Sequence, residues 1–383
     1  MTQIDGQWMK SPAVQRVFEI YADAGFELFF VGGCVRNAVL DLPIHDVDLS
    51  SNATPEQGTK IASAAGLKVI STGYDHGTIT VVSDGTPLEI TSFRRDVETY
   101  GRRAVVAYSQ SIDDDARRRD FTMNALYARA TGEVVDPLGG LLDLYARRLR
   151  FIENADQRIQ EDFLRSLRFF RFHALYADQT LGFEPEAIAA ISGNLDGLET
   201  LPKERIGAEM VKLLAATDPA PAIATMGQCG VLMRVLPGAA AAALAVLVHV
   251  EEAYSVAPNA IRRLCVVGGE DPVRDLRLSK AQAKELNVLK EGLGSLMSAA
   301  ELGYRLGSTA AIDVLLLRAA TAGMMLDPRE IDAAIRGDAQ VCPIAASDLS
   351  DSFQGWALGE ELKRLEAVWI ASDLSATKSE LLG

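Results

Sequence analysis

The sequence predicts an α+β chain: a small mixed or antiparallel sheet with helices in the N-terminal third, followed by an all-α C-terminal region. Three observations predict this. Short apolar, aromatic or β-branched runs at 28–31, 67–71, 77–83 and 87–93 read as strands. These runs lack the regular strand–helix alternation of a dinucleotide-binding fold. Beyond about Asp143 the strand signals stop, and nearly everything to Gly383 is Ala/Leu-rich with helical spacing. A chain of 383 residues suits two or three domains. Cuts are expected near residue 150 and, more softly, near Thr217-Asp218-Pro219, giving segments 1–150, 151–217 and 218–383.

Ser11-Pro12 opens a helix, with Ser as N-cap and Pro at the first helical position, and Gly25 closes it. Leu28-Phe29-Phe30-Val31 is a buried strand, Gly32-Gly33 breaks it, and Cys34–Leu40 has the spacing of a short helix. Paired glycines let backbone N–H groups approach an anion, and the helix N-terminus behind them adds partial positive charge. Arg36, one turn into that helix, could supply a full positive charge to the same anion. Asp46-Val47-Asp48-Leu49 alternates as a half-buried strand does, which puts Asp46 and Asp48 on one face. Adjacent carboxylates repel unless a cation lies between them, and Mg²⁺ is the usual solution. Singly, the Gly-Gly also reads as a plain turn and the Asp-x-Asp as a solvated edge. Joined within a few turns of chain, an anion cradle beside an acidic dyad suits a nucleoside triphosphate with its Mg²⁺.

Thr54-Pro55-Glu56-Gln57 is a capping-box start for a helix ending near Gly66, and Ser83-Asp84-Gly85-Thr86 is a hairpin turn. Glu89 alternates with Leu88 and Ile90. On a strand beside the aspartates it would complete a three-carboxylate site, and a single exposed Glu fits the pattern equally well. Arg94–Asp115 reads as a mobile loop. Asp120 and Asn124 share an i,i+4 helical face, with Phe121, Ala125 and Leu126 behind them. In Glu161–Phe172 a helix would line up Phe163, Leu167, Phe170 and Ala174 as an apolar stripe, with Asp162, Arg165 and Arg168 opposite. Asp162 and Arg165 at i,i+3 also read as a surface salt bridge worth under about 1 kcal/mol. The same pair has a specific capability. Cytosine and adenine each present an amino donor beside a ring-nitrogen acceptor, which a carboxylate plus a guanidinium complements. Uracil and guanine reverse that order and would leave groups unpaired.

The net charge of −14 at first argues against a nucleic-acid partner. Its distribution changes that reading: Arg94–Ala174 carries 15 Arg and no Lys against 13 acidic residues. A local basic track on an acidic protein can bind phosphates, although long-range steering of RNA would be weak. Cys34, Cys229, Cys265 and Cys342 lack C-x-x-C spacing, so neither a zinc site nor a disulfide framework is indicated, and a reducing cytoplasmic setting fits. His45, His76, His173 and His249 show no metal spacing. The N-terminus has no signal pattern, and the most apolar stretch, Ala239–Val250, is too short to span a bilayer.

G-G-x-V-R at Gly32–Arg36, D-x-D at Asp46–Asp48 and Asn52-Ala53-Thr54-Pro55-Glu56 resemble the opening signature of the bacterial tRNA nucleotidyltransferase/poly(A) polymerase family, within the polymerase-β-like nucleotidyltransferases. Further motifs follow in the family's order. Arg117–Ala125 resembles R-R-D-F-T-x-N-A, Asp136–Leu144 resembles the hinge-like D-P-x-G-G-x-x-D-L, and Glu161–Phe172 resembles the protein-templating helix. Glu204–Glu209 resembles the E-R-I-x-x-E motif that braces that helix. The resemblance implies a polymerase-β-like catalytic domain and addition of C, C and A to tRNA from CTP and ATP. Asp46 and Asp48 would hold Mg²⁺, with Glu89 as their neighbour. Gly33, Arg36 and Arg119 would hold the triphosphate. Asp162 and Arg165 would read the base, supported by Arg168 and Arg171. Poly(A) polymerase shares the motifs and remains the nearest alternative. A catalytically silent RNA- or nucleotide-binding module is another, and the intact Asp46/Asp48 argues against it. Asn37 departs from the family's usual Asp, and His45 stands where a cation is common.

Overall fold

The computed structural model describes residues 2–71, 73–74, 77–100 and 103–383, with the side chains of 96–106 outside that description. His76, Gly101 and Arg102 therefore lie outside the described residues. By compactness the chain divides into two units, Met1–Leu201 and Pro202–Gly383. The segment 151–217 is thus shared: its helices through Leu198 belong to the first unit and Lys203–Leu214 to the second.

The first unit opens with α1 (Gln7–Lys10), α2 (Pro12–Asp23), β1 (Leu28–Val31), α3 (Gly33–Val39), β2 (Asp48–Ser51) and α4 (Pro55–Ala64). It continues with β3 (Lys68–Ile70), β4 (Thr78–Ser83), β5 (Thr86–Ser92), β6 (Arg94–Tyr100), β7 (Arg103–Tyr108) and α5 (Ile112–Arg117). A 3₁₀ turn (Thr122–Asn124), β8 (Tyr127–Ala128), β9 (Val134–Val135) and α6 (Gly140–Tyr145) follow. Then come α7 (Ala155–Glu161), α8 (Leu164–Tyr176), α9 (Pro185–Gly193) and α10 (Leu195–Leu198).

Among the described residues, seven strands form one mixed sheet in the order β3-β4-β5-β2-β1-β8-β9. The expected capping box holds: Thr54 accepts from the Gln57 N–H and Gln57 from the Thr54 N–H, which starts α4. Asp84 (φ 47°) and Gly85 (φ 79°) both lie in the left-handed region, as the two-residue hairpin between β4 and β5 requires.

β2 runs parallel to β5 and antiparallel to β1. In that register Phe30, Leu49, Ile90 and Ile79 share one face of the sheet, and Asp48, Glu89 and Thr80 share the other. Gly58 of α4 comes so close to the first face that a Cβ there would lie 2.9 Å from Ile79 Cδ1. On the second face Phe29, Val31, Phe93, Ala116, Ala125 and Tyr127 build a buried cluster. One end of that face is left for polar chemistry.

Three expectations are corrected here. Arg94–Asp115 is not a loop: β6 and β7 pair antiparallel as a separate hairpin, and α5 begins at Ile112. The alternation of Val97 and Thr99 with Asp96 and Glu98, and the β-branched pair Val105-Val106, carried that strand signal. The Asp46–Asp48 strand begins only at Asp48, so Asp46 lies in the segment leading into it. Phe121–Asn124 is not an α-helix: Phe121 is extended and pairs with Phe151, and a single 3₁₀ turn follows.

Asp136 caps α6 by accepting from the N–H groups of Gly140 (2.8 Å) and Leu141 (2.9 Å). Gly139 is left-handed at φ 72°. The hinge-like segment is firmly docked, because Asp143 accepts from Thr122 Oγ1 (2.7 Å) and pairs with Arg150 (2.8 Å).

Aromatic rings join α8 to the Phe121–Phe151 bridge beside the sheet. Phe151 stacks on Phe169 at 5.4 Å, and Phe121 meets Phe172 at 5.2 Å and Phe169 at 6.2 Å.

The second unit is helical among its described residues, from α11 (Lys203–Leu214) to Lys378–Leu382. Its core holds a buried ionic knot in which Glu251 accepts from both Arg262 (2.8 Å) and Arg263 (2.9 Å), while Asp313 takes a further bond from Arg262. Gly303 and Gly337 let two helices touch backbone to backbone, since a Cβ on either would lie within 2.0 Å of a carbonyl oxygen of the other.

A Cβ at Gly140 would lie 2.2 Å from the Thr122 carbonyl oxygen, which is backbone and cannot move aside cheaply. Gly140→Ala is expected to lower the stability of the first unit by about 2 kcal/mol or more. The midpoint of urea unfolding measures this, and an unchanged midpoint would show that α6 is not held against the 3₁₀ turn.

Candidate active site

The parallel register of β2 and β5 sets Asp48 level with Glu89, so the two carboxylates project from neighbouring strands on the same face. The Asp48 carboxyl is held above the ordinary carboxylate range. Burial is the main cause, and the charges of Glu89 and Asp46 add to it while Arg119 works against it. Asp46, Asp48 and Glu89 line one cleft of about 680 Å³ together with His45, Thr80 and Trp8.

This donor set suits a hard divalent cation. The oxygens are carboxylate, and their mutual repulsion is what a cation would relieve. Among the described residues no three His, Cys, Asp or Glu are gathered into a ready cage. That is compatible with Mg²⁺, which commonly takes one or two carboxylates and completes its shell with water and phosphate oxygens.

Gly32 ends β1 with φ 70°, and its N–H donates to the Leu126 carbonyl (2.9 Å). A Cβ at Gly32 would come 3.4 Å from Arg119 Nη1, so the bare backbone lets that guanidinium sit against the turn. Gly33 is the first residue of α3. Arg119 is fixed from behind, with Nη2 on Asp115 Oδ2 (3.0 Å) and Nε on the Tyr127 hydroxyl (3.1 Å).

Asp115 is 1% exposed, and burial alone would raise its pKa. The guanidiniums of Arg119 and Arg118 and the Tyr127 hydroxyl outweigh burial and hold it below the usual range. Sequence reasoning passed over Asp115 and Tyr127. The Asp113-Asp114-Asp115 run looks like solvated charge, and the available signal was Asp115 lying three and four residues before Arg118 and Arg119.

Arg36 is placed differently from the anion-facing position its spacing suggests. It is 5% exposed, and its guanidinium is occupied by Asn124 Oδ1 (2.5 Å), Asn37 Oδ1 (2.8 Å) and the Tyr176 hydroxyl (2.7 Å). The cause is α8, far along the chain, whose Tyr176 covers it with its ring 3.8 Å away.

Asp162 and Arg165 do not share a helix. Asp162 ends α7 in an extended conformation (φ −151°, ψ 103°) and accepts from the Leu164 N–H (3.1 Å) at the start of α8. The break follows from Asp162 serving as a local cap, a role that competes with helix interior. Arg165 lies in the first turn of α8. Three of the five guanidinium N–H donors are engaged, by Glu161 Oε2 (2.6 Å) and the carbonyls of Arg158 and Arg118 (both 2.9 Å). Arg168 is also already bound: its Nε donates to Asp120 Oδ2 (2.7 Å). Asp120 accepts further from Asn124 Nδ2 (3.0 Å) and the Phe121 N–H (2.9 Å). Arg171 rests its guanidinium over the Phe172 ring at 4.5 Å. The structure therefore gathers Asp48, Glu89, Asp46 and Arg119 at the sheet. It places Arg165, Arg168 and Arg171 along α8, with Arg168 tied to the sheet through Asp120.

One family model, described as the poly(A) polymerase head domain, matches residues 28–150, and a second, described as the probable RNA- and SrmB-binding site of polymerase A, matches 181–243. Residues 28–150 are thus similar to that head-domain family, and 181–243 to the second. The chain is 40% identical over 204 residues to the CCA-adding enzyme of Lactobacillus delbrueckii subsp. bulgaricus, covering 53% of this chain and 50% of that one. It is 37% identical over 215 residues to the human mitochondrial CCA tRNA nucleotidyltransferase 1, covering 54% and 50%. The chain thus spans about half the length of the curated relatives it matches. Among solved structures it resembles the Bacillus stearothermophilus CCA-adding enzyme in complex with CTP. That match has a TM-score of 0.69 and 25% identity, over 95% of this chain and 94% of that one. The Thermotoga maritima CCA-adding enzyme complexed with tRNA, at 17% identity and TM-score 0.69 over 100% and 98% of the two chains, shares the fold.

For Asp120, burial again pushes toward the neutral acid, but Arg168 and Asn124 hold its pKa below the ordinary value. A depressed folded pKa gives stability that is complete above the unfolded value of about 3.9 and lost as pH falls through the folded value. Asp120→Asn is expected to cost about 2 kcal/mol or more at neutral pH, less than the roughly 3–5 of a fully buried pair, because Arg168 keeps 31% exposure. Denaturation of both proteins from pH 7 to 3 should show a constant gap down to about pH 5 that narrows below pH 4. A gap that did not narrow would mean the carboxylate is not charge-paired.

Proposed function

We propose that this chain is a template-independent nucleotidyltransferase that adds C, C and A to the 3′ end of tRNA from CTP and ATP and releases pyrophosphate. The observation that carries this reading is the pairing of Asp48 with Glu89 across two strands, with Arg119 close enough to oppose the charge on Asp48. Asp46 and Asp48 would hold Mg²⁺, which when bound supplies Lewis-acid activation of the attacking 3′-hydroxyl and stabilises the departing pyrophosphate. Arg119, preset by Asp115 and Tyr127, offers a cation that needs little reorganisation when phosphate charge develops nearby. Gly32 and Gly33 keep side chains off the approach to that cation.

For the base, Asp162 and Arg165 offer the acceptor and donor that C and A share. Arg165 is held by three bonds and keeps two N–H groups for a base edge. Arg168 supports the reader from the side. The helical unit from Pro202 on would engage tRNA by shape and phosphate contacts rather than by sequence. The names of the relatives, CCA-adding enzymes from bacteria and a human mitochondrial tRNA nucleotidyltransferase, support this reading over poly(A) addition. The four cysteines are free and no helix among the described residues is long and apolar enough to cross a membrane, so we place the reaction in the cytoplasm.

Incubation of tRNA lacking its terminal trinucleotide with labelled CTP, ATP and Mg²⁺ is expected to restore CCA. A long A tail would favour the poly(A) polymerase alternative, and no incorporation would leave a silent binding module. Asp48→Ala should cut incorporation about a thousandfold or more with the melting temperature little changed. Asp162→Ala should raise UTP use relative to CTP by roughly a hundredfold. Unchanged selectivity in that variant would remove Asp162 from base recognition.

A further inference from the structure

Arg36 and Tyr176 are 140 positions apart in sequence, yet their side chains meet and join α3 to α8. The Tyr176 hydroxyl is 2.7 Å from Arg36 Nη2, and the guanidinium carbon lies 3.8 Å from the ring centroid. Arg36 Nη1 donates to Asn124 Oδ1 (2.5 Å), Asn124 Nδ2 donates to Asp120 Oδ1 (3.0 Å), and Asp120 Oδ2 accepts from Arg168 Nε (2.7 Å). Arg168 and Tyr176 are both on α8, about 12 Å apart at 1.5 Å rise per residue. The contacts therefore form a closed circuit that leaves α8 at Arg168 and returns to it at Tyr176. It fixes two points of α8, one to α3 behind the Gly-Gly turn and one to the 120–124 segment that follows Arg119.

From this circuit we infer that Tyr176 is a positioning residue for nucleotide selection: it sets where α8 stands along its own axis relative to the Gly-Gly turn and the carboxylates. The inference rests on the nucleotidyl-transfer reading above and goes beyond it. Two features make Tyr176 the decisive link. Asn37 gives Arg36 a neutral acceptor rather than a carboxylate, and Asn37 is itself held by the Pro43 carbonyl (2.8 Å). The positive charge of Arg36 therefore finds its closest compensation in the Tyr176 ring face. Burial lowers the pKa of Arg36, so an Arg36 deprived of that ring would be a poorly compensated buried cation. The other end of the circuit, Asp120–Arg168, has its own charge pairing and resists loosening. A slack Tyr176 end would let α8 pivot about Arg168, moving Arg165 and Asp162 relative to an incoming base while leaving Asp46, Asp48 and Glu89 in place.

The experiment combines two readouts on Tyr176→Leu and Tyr176→Phe in the full chain. Backbone hydrogen exchange over 164–176 reports the helix directly, and kcat/KM for CTP, ATP and UTP on tRNA lacking CCA reports selection. Tyr176→Leu should speed exchange in the last two turns of α8 by about tenfold and raise the UTP-to-CTP ratio by a similar factor. Tyr176→Phe keeps the ring under the guanidinium and should recover most of both. Arg36→Lys keeps the charge but loses the planar face that lies on the ring, and should reproduce the Leu phenotype even where the Leu variant folds poorly. Unchanged exchange at α8, or an equal loss for all three nucleotides with selectivity intact, would overturn the inference. A wild-type chain that adds neither C nor A would instead sink the reaction, and the exchange data alone would then judge the circuit.

Discussion

A buried carboxylate in apolar surroundings must be paired or protonated, and Asp120 is paired. It sits beside Phe121, at the end of the segment that carries Arg117–Arg119, and its partner Arg168 arrives from a helix 48 residues later. That requirement orders much of the first unit. Bringing Arg168 in lays α8 across the sheet-bound turn, and the rings of Phe169 and Phe172 land on Phe121 and Phe151. The hydrophobic contact has no direction of its own; the ion pair supplies the register.

The candidate catalytic end of the sheet shows the complementary logic. Asp48 and Glu89 are forced together by parallel pairing of β2 with β5, and no side chain among the described residues pairs them with a cation as tightly as Arg119 pairs Asp115. One acidic cluster is therefore internally neutralised and the other is left with excess negative charge. Arg119 stands at the border of both, braced by Asp115 while opposing the charge on Asp48. Charge left uncompensated at one point and cations fixed beside it are what a polyphosphate carrying a divalent cation would complete.

Much of this was legible before any coordinates. The α+β division, β1, the Gly-Gly turn, the capping box of α4 and the β4–β5 hairpin depend on local chemistry, and local chemistry is written in adjacent residues. Glu89 beside Asp48 was an inference from alternation, and the parallel register bears it out. What failed was of another kind. The β6–β7 hairpin was read as a loop because its arginines and glycine masked a two-residue alternation. Asp162 was put on a helix because the periodicity of 161–172 continues through it, whereas a carboxylate able to cap the Leu164 N–H ended one helix and began another. Arg36 was aimed at a bound anion because nothing near it in sequence reveals Tyr176. Side chains whose partners lie a hundred residues away carry no signal in a single sequence.

The ring cluster of Phe121, Phe151, Phe169 and Phe172 has a consequence for how the chain comes into being. Its members are translated in succession, and the strand bearing Asp48 leaves the ribosome long before the last of them. Phe121 and Phe151, which bridge beside the sheet, must wait until α8 emerges to cover them. Synthesis of the strand bearing Asp48 and burial of the Asp120–Phe121 segment are thereby separated in time, and the later event is set by a helix that contributes no carboxylate to the cleft.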